Sequence, residues 1–274
     1  MKFKTYLLLL PIMLLFAKTA RAQWPVGKYR DEFVAGFSYY GATDSWDESG
    51  KKITGTGTRF DSYSLGLYNV YGLTRHINIE TSLPLIYFKD VEGKGNLDEN
   101  YGAGDLTAGL NFNLWNGDFT KFLNFTASGI VPLYDAKTNP LGYGEGGVEG
   151  KLAYFTNISP DFIKGSYFTI DAAYRHYFGS DGPNQYIGNA TLGLSVARYD
   201  QILINSGYVY SQSANKAFNS AIIDIKDFQY LKTGLTYGHV FSRRITLYLG
   251  GFFMPYGRNT GVGFGGNFST VFRL

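Results

Sequence analysis

The sequence predicts an all-β chain, a transmembrane antiparallel up-and-down β-barrel of about 12 strands. Three observations predict it. Segments of roughly ten residues alternate apolar and polar side chains from Phe33 to the C-terminus, the period of a strand with one wet and one apolar face. The connections between them alternate short and long, as expected of short periplasmic turns and longer external loops. The composition is aromatic and glycine-rich, with 23 Tyr, 22 Phe and 35 Gly among 274 residues and no cysteine, as a barrel with aromatic girdles requires.

The expected strands run 33–43, 60–72, 76–89, 104–115, 120–133, 147–157, 166–178, 186–198, 201–212, 228–241, 244–255 and 262–274. In the third, Ile77, Ile79, Thr81, Leu83, Leu85 and Tyr87 oppose His76, Asn78, Glu80 and Ser82. In the fourth, Leu106, Ala108, Leu110, Phe112 and Leu114 oppose Asp105, Thr107, Gly109, Asn111 and Asn113. The fifth sets Leu123, Phe125, Ala127 and Val131 against Asn124, Thr126 and Ser128. The seventh sets Phe168, Ile170, Ala172 and Tyr174 against Thr169, Asp171 and Arg175, and the tenth Leu231, Leu235 and Tyr237 against Lys232 and Thr236. Segment 201–212 splits poorly, because Ile202, Leu203 and Ile204 are consecutive, so its register stays open. Loops are expected at 44–59, 90–103, 134–146, 179–185, 213–227 and 256–261, with short turns between the other strand pairs. Phe264, Phe268 and Phe272 share one face of the last strand, which resembles the terminal signal read by the barrel-assembly machinery, although the chain ends on Leu274.

Residues 1–22 read as a secretory signal peptide: Lys2 and Lys4, an apolar run from Tyr6 to Ala17 too short to span a bilayer, then Ala20-Arg21-Ala22. Residues 23–274 are then the barrel, and the expected location is the bacterial outer membrane. The signal holds four of the 25 bases and none of the 22 acids, which leaves 21 bases against 22 acids and a net charge of −1. The basic balance of the whole chain is therefore no sign of a nucleic-acid partner. The expected partners are outer-membrane lipid, the assembly machinery during insertion and a small-molecule solute.

Gly102-Ala103-Gly104 looks at first like a phosphate loop. A dinucleotide fingerprint needs a strand before its glycines and a helix after them, and here a strand follows. The same step, Gly102, Gly104, Asp105 and Leu106 running into Gly109-Leu110, resembles the outer-membrane transporter family named for the meta-pathway of phenol degradation. Pro132 and the step Gly144-Glu145-Gly146-Gly147-Val148-Glu149-Gly150 are similar too, so the resemblance covers 101–157. It implies passage of small compounds, hydrophobic or aromatic ones among them.

No cofactor is expected and no His or carboxylate cluster has metal-ligand spacing. Catalysis would have to use His76, His176 or His239. His176 with Ser180 is the best candidate for a barrel hydrolase, but no third orienting group is evident. The chain is therefore read as a channel or transporter and not as an enzyme, with a hydrolase or a structural or adhesive barrel as alternatives. The expected pore-lining residues are Glu80, Asp105, Asn111, Asn113, Glu149, Lys151, Asp171, Arg175 and Lys232. A hairpin turn near Asp161 would set Lys151 opposite Asp171 and Glu149 diagonal to Arg175. These charges form either a constriction that orients a polar solute or a salt-bridge lattice that fills a narrow interior.

Overall fold

The computed structural model describes residues 26–55, 59–91, 97–158, 165–216 and 225–274. The signal peptide expected at 1–22 lies outside them, as do parts of the loops expected at 44–59, 90–103 and 213–227 and of the turn near Asp161.

Twelve long strands close into an antiparallel barrel, each paired with its neighbour in sequence. They are β1 (Asp31–Trp46), β3 (Arg59–Gly72), β4 (Ile77–Val91), β6 (Asp105–Gly117), β7 (Lys121–Pro132), β8 (Gly147–Asn157), β9 (Tyr167–Tyr177), β10 (Asn184–Ser195), β11 (Asp200–Gln212), β12 (Phe228–Val240), β13 (Ile245–Arg258) and β14 (Thr260–Arg273). Two shorter strands, β2 (Lys52–Ile53) and β5 (Leu97–Ala103), extend the loop end by pairing with β1 and β4. The seam is closed by β1 against β14, from Glu32↔Arg273 to Trp46↔Thr260, with a bulge at Ala42/Asp44. Closure leaves no sheet edge, the condition for strands to cross lipid.

The twelve expected segments each coincide with a strand, because period-2 patterning is strong wherever one face meets lipid. Phe37, Leu65, Leu85, Leu110, Phe125, Leu152, Ile170, Ile204, Leu235, Leu249 and Phe268 all stand exposed on the outside. At the loop end Tyr63, Tyr87, Tyr174, Tyr186, Tyr208 and Tyr256 are exposed, and at the turn end Tyr71, Trp115, Phe119, Tyr199, Tyr237 and Phe241. These two rings flank the aliphatic belt as interfacial girdles do.

Four local expectations need correction or resolution. The loop expected at 256–261 shrinks to Asn259, at φ 50°, because β13 runs on beside β12 to Arg258 and β14 starts beside β1 at Thr260. The loop expected at 90–103 is largely strand, since β5 continues β6 along β4 across a break at Gly104. Trp115 has the parity of a lumen residue, yet a bulge between Asn113 and Trp115 turns it outward. In β11 the pairing Ile204↔Leu235 settles the open register, sending Ile202 and Ile204 outward and Leu203 inward.

The glycine step gains a physical reason. Gly104 donates its N–H to the Pro84 carbonyl at 2.8 Å, and a Cβ there would lie 2.9 Å from Ile86 Cδ1. Gly102 has φ 150°, outside the range most side chains adopt. The glycines carry a kinked strand past a proline in β4, not a phosphate.

Candidate functional site in the barrel lumen

Alternation places one set of side chains from every strand in the lumen, and the lumen divides into two zones. The turn-side zone is a polar lattice. Asn78 Nδ2 donates to Asn111 Oδ1 (3.4 Å), Asn111 Nδ2 to Thr126 Oγ1 (2.9 Å) and Asn113 Nδ2 to Asn124 Oδ1 (2.7 Å). Across the barrel Thr191 donates to Asn205 (3.0 Å), and Asn205 to Thr236 (3.2 Å). At the mouth Arg273 holds Glu32 at 3.0 Å.

The charges run from this lattice toward the loop side, in a pairing that differs from the expected one. β8 and β9 set Glu149 directly opposite Arg175 and Lys151 opposite Ala173, while Asp171 faces Ala153. The hairpin is shifted by two residues from the expected register, which preserves every inward face and changes every partner. Arg175 donates from Nε (2.9 Å) and a terminal nitrogen (2.6 Å) to Glu149 Oε2, and its other terminal nitrogen reaches the Tyr177 hydroxyl at 3.4 Å. Lys151 turns away from Asp171 and meets Glu80 Oε2 at 3.3 Å. That pair spans from β8 to β4 across β6 and β7; the row from Glu80 passes Gly109 and Ser128 to Glu149, the inward position next to Lys151 on β8. Asp171 instead accepts from Asn189 Nδ2 at 2.8 Å.

The loop-side zone is aromatic and apolar, and it is built partly by an inward-folded loop. Residues 133–146 turn into the lumen, where Leu141 packs buried against Phe60 and Phe88, with Tyr40, Ile86 and Tyr134 around them. Tyr143 meets Tyr177 edge to face at 4.9 Å and accepts from Gln185 Nε2 at 3.2 Å. Tyr134 Oη accepts from the Gly144 N–H at 3.0 Å. Burial raises the pKa of both Tyr134 and Tyr143, so the loop keeps neutral phenols. Glu145 pairs with Lys226 at 3.4 Å, and Phe178 N–H donates to the Gly146 carbonyl at 2.9 Å, so the loop is tied to two neighbours.

Between the zones lies a cavity of about 470 Å³, lined among others by Asp105, Tyr143, Arg175, Gln185, Asn189 and Tyr230. Asp105 opens β6 just after Gly104, and its buried Oδ1 has no hydrogen-bond partner among the described residues. Lys232 stands over the Phe252 ring at 5.1 Å. The nine residues expected to line the lumen therefore fall into ion pairs (Glu80, Lys151, Glu149, Arg175), amide and hydroxyl ladders (Asn111, Asn113, Asp171) and two charges without an ion-pair partner among the described residues (Asp105, Lys232). Sequence reasoning missed Tyr40, Phe60, Phe88, Leu141, Tyr143, Tyr230 and Phe252. The signal was present in Leu141 and Tyr143, large apolar and aromatic residues inside an otherwise polar loop.

Among the described residues, His176 and His239 pair with an amide and a carboxylate and not with a nucleophile. His176 Nδ1 lies 2.8 Å from Asn184 Oδ1 and its ring against Phe178, while His239 Nδ1 lies 2.7 Å from Asp200 Oδ1 and its ring against Phe241. Both belong to the outer face near opposite ends of the barrel. Among the described residues no group of three or more His, Asp or Glu could hold a metal ion.

Comparison with solved structures agrees with the fold. An outer membrane channel from Pseudomonas putida F1 superposes with a TM-score of 0.72 at 16% identity, covering 94% of this chain and 100% of that one. The chain has the fold of an outer-membrane β-barrel. The β domain of the Bordetella autotransporter BrkA (TM-score 0.55, 9% identity, 90% of this chain and 100% of that one) shares it more loosely. So does the NanC porin (TM-score 0.50, 9% identity, 87% and 100%). No family model matches the sequence, and no curated protein does. The closed barrel and its apolar outer belt place the protein in outer-membrane lipid. Fold alone does not fix function, since barrels of this type serve as channels and as translocators.

Proposed function

We propose that the chain is an outer-membrane channel for small molecules, with preference for hydrophobic or aromatic ones. The observation that carries this is the lumen itself: on the loop side Leu141 packs against Phe60 and Phe88 as an apolar plug, and beside it lies a cavity of about 470 Å³ that Leu141, Tyr143 and Tyr230 help to line. Apolar surface of this kind receives an apolar solute at little desolvation cost. Two further facts support the reading. The similar structure from Pseudomonas putida F1 is an outer membrane channel, and the residues at 101–157 resemble a transporter family.

The charges favour a lattice over an orienting constriction, because Glu149–Arg175 and Glu80–Lys151 satisfy one another. A lattice still sets ion selectivity when it is broken. In planar bilayers the purified wild-type chain is expected to give discrete current steps. Lys151→Ala leaves Glu80 unpaired in the lumen and is expected to move the reversal potential under a salt gradient toward cation selectivity. An unchanged reversal potential would show that current does not pass these residues, and an absence of steps would sink the channel reading.

A further inference from the structure

Lys232 differs from the other lumen cations. Lys151, Arg175, Lys226 and Arg273 each hold a carboxylate, but among the described residues none pairs with Lys232. Its ammonium stands 5.1 Å from the centre of the Phe252 ring, and the residue is exposed on the inward face of β12. Phe252 in turn lies parallel to Tyr40, with ring centres 6.5 Å apart and planes within 6°. Two glycines of β14 leave room for this arrangement: a Cβ at Gly263 would strike the Tyr40 ring at 1.9 Å, and one at Gly265 would meet the Phe252 ring at 2.5 Å. Beside the lysine, the β11 residue in register with it is Gly207, which bears no side chain. Asn189, the next residue in that row, spends its Nδ2 on Asp171 and leaves its Oδ1 toward the gap, 2.9 Å from where a Gly207 Cβ would stand. The result is an uncompensated cation beside a position that bears no side chain, with the parallel rings of Phe252 and Tyr40 next to it.

We infer that the lumen wall at Lys232 is a binding site for a small organic anion, an apolar or aromatic carboxylate, whose carboxylate meets Lys232 and whose ring or chain lies against the aromatic pair of Phe252 and Tyr40. The inference rests on the channel reading and sharpens its solute class. A cation over one aromatic face keeps its other side free for an anion, and a carboxylate gains a charge-assisted hydrogen bond there in partly desolvated surroundings. A neutral isostere gains the ring contact without the charge.

The test uses the full chain in detergent, with benzoate and benzamide as probes in a calorimetric titration, and Lys232→Met and Lys232→Arg as variants whose folding is checked by heat-modifiable gel migration. Benzoate is expected to bind the wild type more tightly than benzamide, to weaken by roughly tenfold or more in Lys232→Met, and to be retained in Lys232→Arg. Equal binding of the two probes to the wild type, or benzoate binding untouched by Lys232→Met, overturns the inference without use of any variant that fails to fold. Flux of neutral solutes through proteoliposomes separates this result from the channel reading. Benzoate binding without flux leaves the site standing and removes the channel, and flux without benzoate preference does the reverse.

Discussion

Removing residues 137–143 and joining Ala136 to Gly144 is expected to raise single-channel conductance several-fold. The loop places Leu141 and Tyr143 inside the barrel, where Leu141 fills the space between Phe60 and Phe88 and Tyr143 closes on Tyr177. The ends of the excised segment already meet, since a Cβ at Gly144 would lie 2.3 Å from Ala136 Cβ, so the deletion needs little change in the rest of the barrel. Glu145–Lys226 and the Phe178–Gly146 bond lie outside the cut and keep the loop base in place. What leaves is the obstruction. Conductance equal to the wild type would mean that the loop does not limit passage. The step size of single-channel current in planar bilayers distinguishes the two outcomes.

Gly265→Val is expected to prevent formation of the closed barrel. Gly265 pairs with Tyr40 across the seam and with Phe252 on its other side. A Cβ there would stand 2.0 Å from the Tyr39 carbonyl oxygen, a backbone atom that cannot move without breaking the β1–β14 ladder, and 2.5 Å from the Phe252 ring. Overpacking inside a fitted core costs roughly 1–3 kcal/mol, and more where backbone must shift. Gly129→Ala provides the control, because nothing lies within 4 Å of a Cβ at that position. Migration of unheated protein in SDS gels reads the result: Gly129→Ala runs as the compact barrel and Gly265→Val as the unfolded chain. Normal compact migration of Gly265→Val would show that the seam tolerates a side chain there.

Most of the fold was readable from the order of residues because lipid enforces a strict period of two. Strands such as Leu106–Leu114 and Leu123–Val131 could not bury their apolar face any other way. The pairing within hairpins was less readable. A shift of two residues between β8 and β9 keeps Glu149, Lys151, Asp171 and Arg175 facing inward but replaces Lys151–Asp171 with Lys151–Glu80, a contact across three strand intervals that no local pattern encodes. The outward turn of Trp115 was hidden for a related reason, since one bulge residue reverses parity and leaves no mark in composition. The inner aromatics were hidden because Tyr and Phe serve both faces here. Tyr63 and Tyr87 belong to the outer girdle, while Tyr40, Phe60 and Phe88 face inward and pack around Leu141. An inward-folded loop is decided by contacts between distant segments, such as Leu141 with Phe60, and these become visible only in three dimensions.

The most direct test is solute flux through the wild-type chain reconstituted in liposomes. A small neutral aromatic compound and a sugar of similar mass are compared by light scattering after an isosmotic mixing step. The lumen described above predicts that swelling is faster with the aromatic compound than with the sugar, and faster than in liposomes without protein. Swelling with the sugar at an equal or greater rate, or no swelling above protein-free liposomes with either solute, would contradict it.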